Sequence, residues 1–136
     1  MRSTASPACE DTRGPDAGSA VAEYVMVLAL ALVLFGMILQ LGFTLHVRNT
    51  LIDAASAGAR YASLADRTDE DGAQRTRGII TDTVGAAYAQ DVSVTRTSVG
   101  RLPAVEVRVV APLPVVATLG PPASLEVSGH AVDMDA

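Results

Sequence analysis

The sequence predicts an α+β, membrane-anchored protein. A long N-terminal transmembrane helix continues outside the bilayer, a second amphipathic helix follows, and a small three-stranded antiparallel sheet ends the chain. Three observations predict it. Residues 21–45 form an apolar run broken by one charged side chain, Glu23. Apolar residues then recur at helical spacing as far as about residue 89, and from residue 92 the period changes to two.

Residues 1–18 are rich in small and turn-forming residues, with Pro7, Gly14 and Pro15, and read as a disordered leader. Residues 19–45 form the transmembrane helix. Crossing about 30 Å of hydrocarbon takes roughly 20 helical residues, which the run from Tyr24 to Phe43 supplies. A cleaved secretory signal is the rival reading, but its apolar core usually has about 7 to 15 residues. Ala55-Ser56-Ala57 has the small-x-small shape of a signal-peptidase site, yet it lies well past the apolar run.

Residues 46–65 continue the helix beyond the membrane, with no proline and much alanine. Val47, Leu51, Ala54, Ala55, Gly58 and Ala62 recur at i, i+3 and i+4 and draw one narrow stripe of mostly small side chains. Ala54, Gly58 and Ala62 are its closest-packing positions, expected to admit neighbouring subunits. A helix from Ser19 to Ala65 would be about 70 Å long at 1.5 Å per residue.

Residues 66–136 form a small α+β domain. Thr68 reads as an N-cap with Asp71 three positions on, and the acidic first turn suits the helix dipole. Ala73, Ile80, Val84, Ala87 and Tyr88 would share one face, carrying this second helix to about Ala89. Val92-Ser93-Val94-Thr95 and Val105-Glu106-Val107-Arg108-Val109 alternate as strands, with a turn at Gly100-Arg101-Leu102-Pro103. A third strand over residues 124–132 turns Leu125 and Val127 inward. Residues 112–122 form an apolar loop held extended by four prolines.

Composition narrows the function. The chain has 136 residues, 49% of them hydrophobic, yet only two Phe, three Tyr and no Trp, so the domain has a thin core and leans on a partner or the membrane. The net charge is -5, and all ten basic residues are Arg without aromatic interleaving, which argues against nucleic acid as a partner. Cys9 is the only cysteine, so the domain folds without disulfides. His46 and His130 have no companions at metal-ligand spacing. No phosphate loop, nucleophile elbow or triad is present, so neither catalysis nor a cofactor nor a small-molecule substrate is expected. Glu23 needs an account. An ionised carboxylate costs about 2.5–3.5 kcal/mol at mid-bilayer and less at the interface, so it either sits among headgroups or meets a cationic partner such as a freed amino terminus.

Gly18-Ser19-Ala20-Val21-Ala22-Glu23-Tyr24, followed at once by the apolar helix, resembles the processing site of type IV pilin-like proteins, and the Glu-Tyr pair resembles the Flp/Tad branch. Arg48-Asn49-Thr50-Leu51 and the alanine-rich stretch to Ala62 are similar to the TadE-like family of Tad pilus assembly proteins. The resemblance covers residues 17–65, with a looser likeness beyond. It implies cleavage after Gly18 by a prepilin peptidase, a mature chain starting at Ser19, and Glu23 as the carboxylate that assembles helices. It also implies other pilin-like subunits as partners, in a minor pilin or pseudopilin of a pilus or related secretion system. The alternative is an unprocessed, single-span accessory protein. Ala29 stands where relatives commonly have a proline, and Ala17 where a basic residue often precedes the glycine. The arginines flanking the span tilt, by one residue, toward a cytoplasmic C-terminus. The resemblance implies the reverse, a cytoplasmic N-terminus with the domain outside, and that orientation is the expectation adopted.

Overall fold

The structure is a computed structural model that describes residues 16–113 and 123–133. Helix α1 spans Asp16–Ala62, α2 spans Asp69–Thr83, and a single 3-10 turn covers Ala86–Tyr88. Strands β1 (Asp91–Val99), β2 (Leu102–Pro112) and β3 (Ser124–Val132) follow. The expected α+β order is therefore present. The leader to Pro15, the tail from Met134 and the proline-rich stretch 114–122 lie outside the described residues.

The chain divides into two units between Ile38 and Leu39. In the first, α1 is an unbroken helix in which residues 18–38 are all exposed. Nothing in that unit is buried among its own described residues. With Ala29 instead of a proline, no backbone donor is lost and no ring meets the preceding turn. The helix is long and apolar enough to cross a membrane. It begins at Asp16, three residues before the expected start at Ser19, and it ends at Ala62, three residues earlier than expected.

The second unit holds the core. All six residues of the predicted stripe are buried on α1, joined by Ala59. Against them pack Gly72, Ala73, Thr76 and Ile80 of α2 and the inner face of the sheet. Strand order is β1-β2-β3, antiparallel throughout, with Val94 opposite Val107 and Val107 opposite Gly129. Val105, Val107, Val109 and Ala111 of the central strand point inward and are fully or almost fully buried. Between them, Arg108 is exposed and Glu106 half-buried on the other face. This is the period-two pattern of a sheet covered on one side only.

Two differences from the expected boundaries have clear causes. Helix α2 stops at Thr83 because Gly85 takes a φ of 109° and the Val84 and Gly85 amides both donate to the Ile80 carbonyl. A glycine with positive φ is the common way to end a helix, and it leaves Ala87 exposed in the 3-10 turn rather than on the buried face. The hairpin is tighter than the four residues expected, since Val99 pairs with Leu102 and only Gly100-Arg101 form the loop. Gly100 has φ 67° and Arg101 is not positive, the pattern of a type II′ turn, whose twist matches that of the strands.

Candidate functional site

The sequence singles out two regions of α1, and they have opposite surroundings. Gly18, Ser19 and Glu23 lie in its first two turns, all exposed. Ser19 and Glu23 are four residues apart, so they share one helix face, and the Glu23 side chain leans back toward the N-terminus and Ser19. The Gly18–Ser19 peptide is helical, but it belongs to the first turn, whose amides have no partner within the helix. Tyr24 next to the carboxylate is 68% exposed.

Ala54, Gly58 and Ala62 occupy the other region, where α1 is packed. Their neighbour is not another subunit but α2 of the same chain. A Cβ on Gly58 would stand 2.8 Å from the Gly72 carbonyl oxygen and closer still to the Thr76 hydroxyl. A Cβ on Gly72 would stand 2.6 Å from the Ala62 Cβ and 2.9 Å from the Gly58 carbonyl oxygen. The two helices thus meet backbone to backbone, and only glycine leaves room. The Thr76 hydroxyl donates to the Gly72 carbonyl at 2.9 Å and reaches the Ala54 carbonyl at 3.4 Å, so this fully buried hydroxyl is satisfied across the seam. On the sheet side Gly129 lies against Ala55 and Ser56, and a Cβ there would stand 2.6 Å from the Ala55 carbonyl carbon.

Sequence reasoning found the α1 half of this seam and missed Gly72, Thr76 and Gly129. The signals were available. Gly72 and Thr76 are small residues at i, i+4, and an isolated glycine inside a strand marks close approach of another backbone.

Charge lies at the rim. Thr68 caps α2 with a full capping box: its hydroxyl accepts from the Asp71 amide at 3.2 Å, and the Asp71 carboxylate accepts from the Thr68 amide at 2.9 Å. The Thr68 amide, and after it the Thr68 hydroxyl, hold the Asp71 carboxyl below its ordinary range. Arg96 of β1 joins Asp69 at 2.9 Å and Asp133 at 3.2 Å, which ties the start of α2 to the end of β3. The hydrogen bond to Asp69, chiefly, raises the Arg96 pKa further.

On the outer sheet face Arg108 meets Glu126 at 2.8 Å and His130 stands 3.7 Å from Glu106. His46 is exposed on α1. A shallow groove of about 290 Å³ is lined by Tyr61, Asp71, Gln74 and Arg75, with the Arg67 guanidinium 4.9 Å above the Tyr61 ring. Among the described residues no group of three or more His, Cys, Asp or Glu is placed to hold a metal ion. Cys9 lies outside the described residues.

Residues 18–60 match the family of TadE-like proteins. The match opens on Gly18 and runs through the apolar part of α1 into its packed part. No curated protein and no solved structure matches the chain significantly.

Proposed function

We propose that this protein is a membrane-anchored component of a Tad-type pilus or a related secretion system, a minor pilin or pseudopilin that acts by packing and docking and not by catalysis. The observation that carries the reading is the TadE-like match over residues 18–60. It coincides with a helix whose apolar stretch is exposed among the described residues. An apolar helix left bare needs a hydrocarbon environment or other helices, and a bundle of pilin-like subunits in a membrane supplies both.

In this reading a prepilin peptidase cuts after Gly18. The new amino group at Ser19 then sits one helical turn from the Glu23 carboxylate, on the same face. Pairing with that group, or with the amino group of an adjacent subunit, removes the cost of carrying Glu23 into the bilayer. The chain is anchored in the cell membrane with its N-terminus in the cytoplasm and its α+β domain outside.

The test is mass spectrometry of the protein extracted from membranes. A chain beginning at Ser19 is expected, whereas a population that retains Met1 would exclude the processed form. The helical state of the Gly18–Ser19 peptide favours a second reading, an accessory protein that is never cut, because peptidases bind their scissile segment extended. Fraying of the first turn reconciles the two, since helix ends open with little free energy.

A further inference from the structure

Pairings inside the Leu39–Ala136 unit fix which of its ends faces which way. Gly58 meets Gly72, and Ala54 meets Thr76, so α2 runs antiparallel to α1, four residues for four. One and then two more helical turns bring Ile80 level with Thr50 and Val84 level with His46. Arg77 donates to the Val92 carbonyl at 3.2 Å, while Arg96 reaches Asp69 at the opposite end of α2. The start of β1, the end of β2 and the start of β3 therefore lie at the same end as Val84. At that end α1 changes character abruptly: Leu45 is 48% exposed and Val47 is wholly buried.

We infer that the surface formed by residues 84–90 rests on the lipid headgroup layer, beside the point where α1 emerges. The inference rests on the reading of α1 as a membrane anchor. If Phe43 and Leu45 lie in hydrocarbon, the interface passes through the next turn of α1, and Val84 stands level with that turn. The chain there is Val84-Gly85-Ala86-Ala87-Tyr88-Ala89-Gln90, seven residues without a charge. Ala86 and Ala87 are exposed, and Tyr88 is half-buried against the core. Small uncharged side chains lose water at little cost, and a tyrosine ring with an apolar body and a polar tip suits the interfacial layer. The pairs that Arg96 makes with Asp69 and Asp133 sit at the other end, in water. Asp82 and Asp91, both exposed, are the nearest charges on either side of this stretch in the sequence.

The chain contains no tryptophan, so each introduced one is a sole reporter. Ala87→Trp, Ala86→Trp, Arg101→Trp and Phe35→Trp would be made in the full chain and reconstituted into phosphatidylcholine vesicles free of other protein. Some of the lipid would carry a nitroxide near the headgroup or deep in the acyl chain. Ala87→Trp and Ala86→Trp are expected to emit to the blue of Arg101→Trp and to lose most of their intensity to the shallow quencher. Arg101→Trp, at the hairpin tip, should keep its intensity, and Phe35→Trp should respond to the deep quencher. Quenching at Phe35 with water-like, unquenched emission at both positions 86 and 87 would overturn the inference and leave the anchor standing. Absence of quenching at Phe35 would overturn the anchor itself.

Discussion

Three glycines of the second unit do what no other residue could, and three of the anchor do not. Gly58, Gly72 and Gly129 each lie where a Cβ would run into backbone or a buried hydroxyl, while Gly18, Gly36 and Gly42 have nothing within 4 Å of the corresponding position. Overpacking a tight core typically costs about 1–3 kcal/mol, and the obstructing atoms here belong largely to backbone, which yields least. Gly58→Val and Gly129→Ala are therefore expected to lower the thermal midpoint of the detergent-solubilised protein markedly, or to prevent the domain from folding. Gly36→Ala should leave it unchanged. Circular dichroism during a thermal ramp reads all three. Gly58 was legible in the sequence because it sits among alanines at helical spacing. What it meets was not, since a small residue announces close approach without naming the partner.

At the scale of the element, the start of α2 is the clearest case of local sequence setting structure. Thr68 and Asp71 satisfy each other's amides, and loss of such a cap costs about 0.5–2 kcal/mol. Thr68→Ala should thus reduce stability by that order in a denaturant titration. The Asp71 carboxyl is held below its ordinary value of 3.8 by the bonds it accepts from Thr68. Its contribution is then complete above that ordinary value and disappears as pH falls through the lowered one. Acid titration followed by far-UV circular dichroism should show helix loss on that limb, and Asp71→Asn should flatten it. Periodicity made α1 and all three strands readable in advance, and the Thr68–Asp71 pair did so for the start of α2. The end of α2 escaped because Gly85 is tolerated inside a helical pattern, and only its positive φ ends the element. The hairpin was placed correctly but drawn too wide, since residue type alone leaves open whether Leu102 and Pro103 turn or pair.

The molecule as a whole consists of a bare apolar helix and a small unit whose own seam is already filled. The stripe expected to receive other subunits is occupied by α2, so association in the proposed assembly falls to the exposed part of α1 that carries Glu23. Glu23→Ala should accordingly abolish co-purification with partner subunits while leaving the protein in the membrane fraction. Undiminished co-purification would refute that role. The apolar run over residues 21–45 made the exposed helix visible from the sequence. The internal seam did not show, because its other half lies in a helix whose polar surface dominates its composition.

A seam of glycine and alanine also changes how such a domain can be probed. Large-to-small substitution destabilises by removing buried methylenes and leaving a cavity, and Ala54, Gly58, Ala62, Gly72 and Ala73 have almost none to remove. Alanine scanning leaves Ala54, Ala62 and Ala73 untouched, and at Gly58 and Gly72 it adds a Cβ instead of removing one. Their importance becomes measurable only when bulk is added, so a map of this protein built from truncations would leave its tightest contact blank.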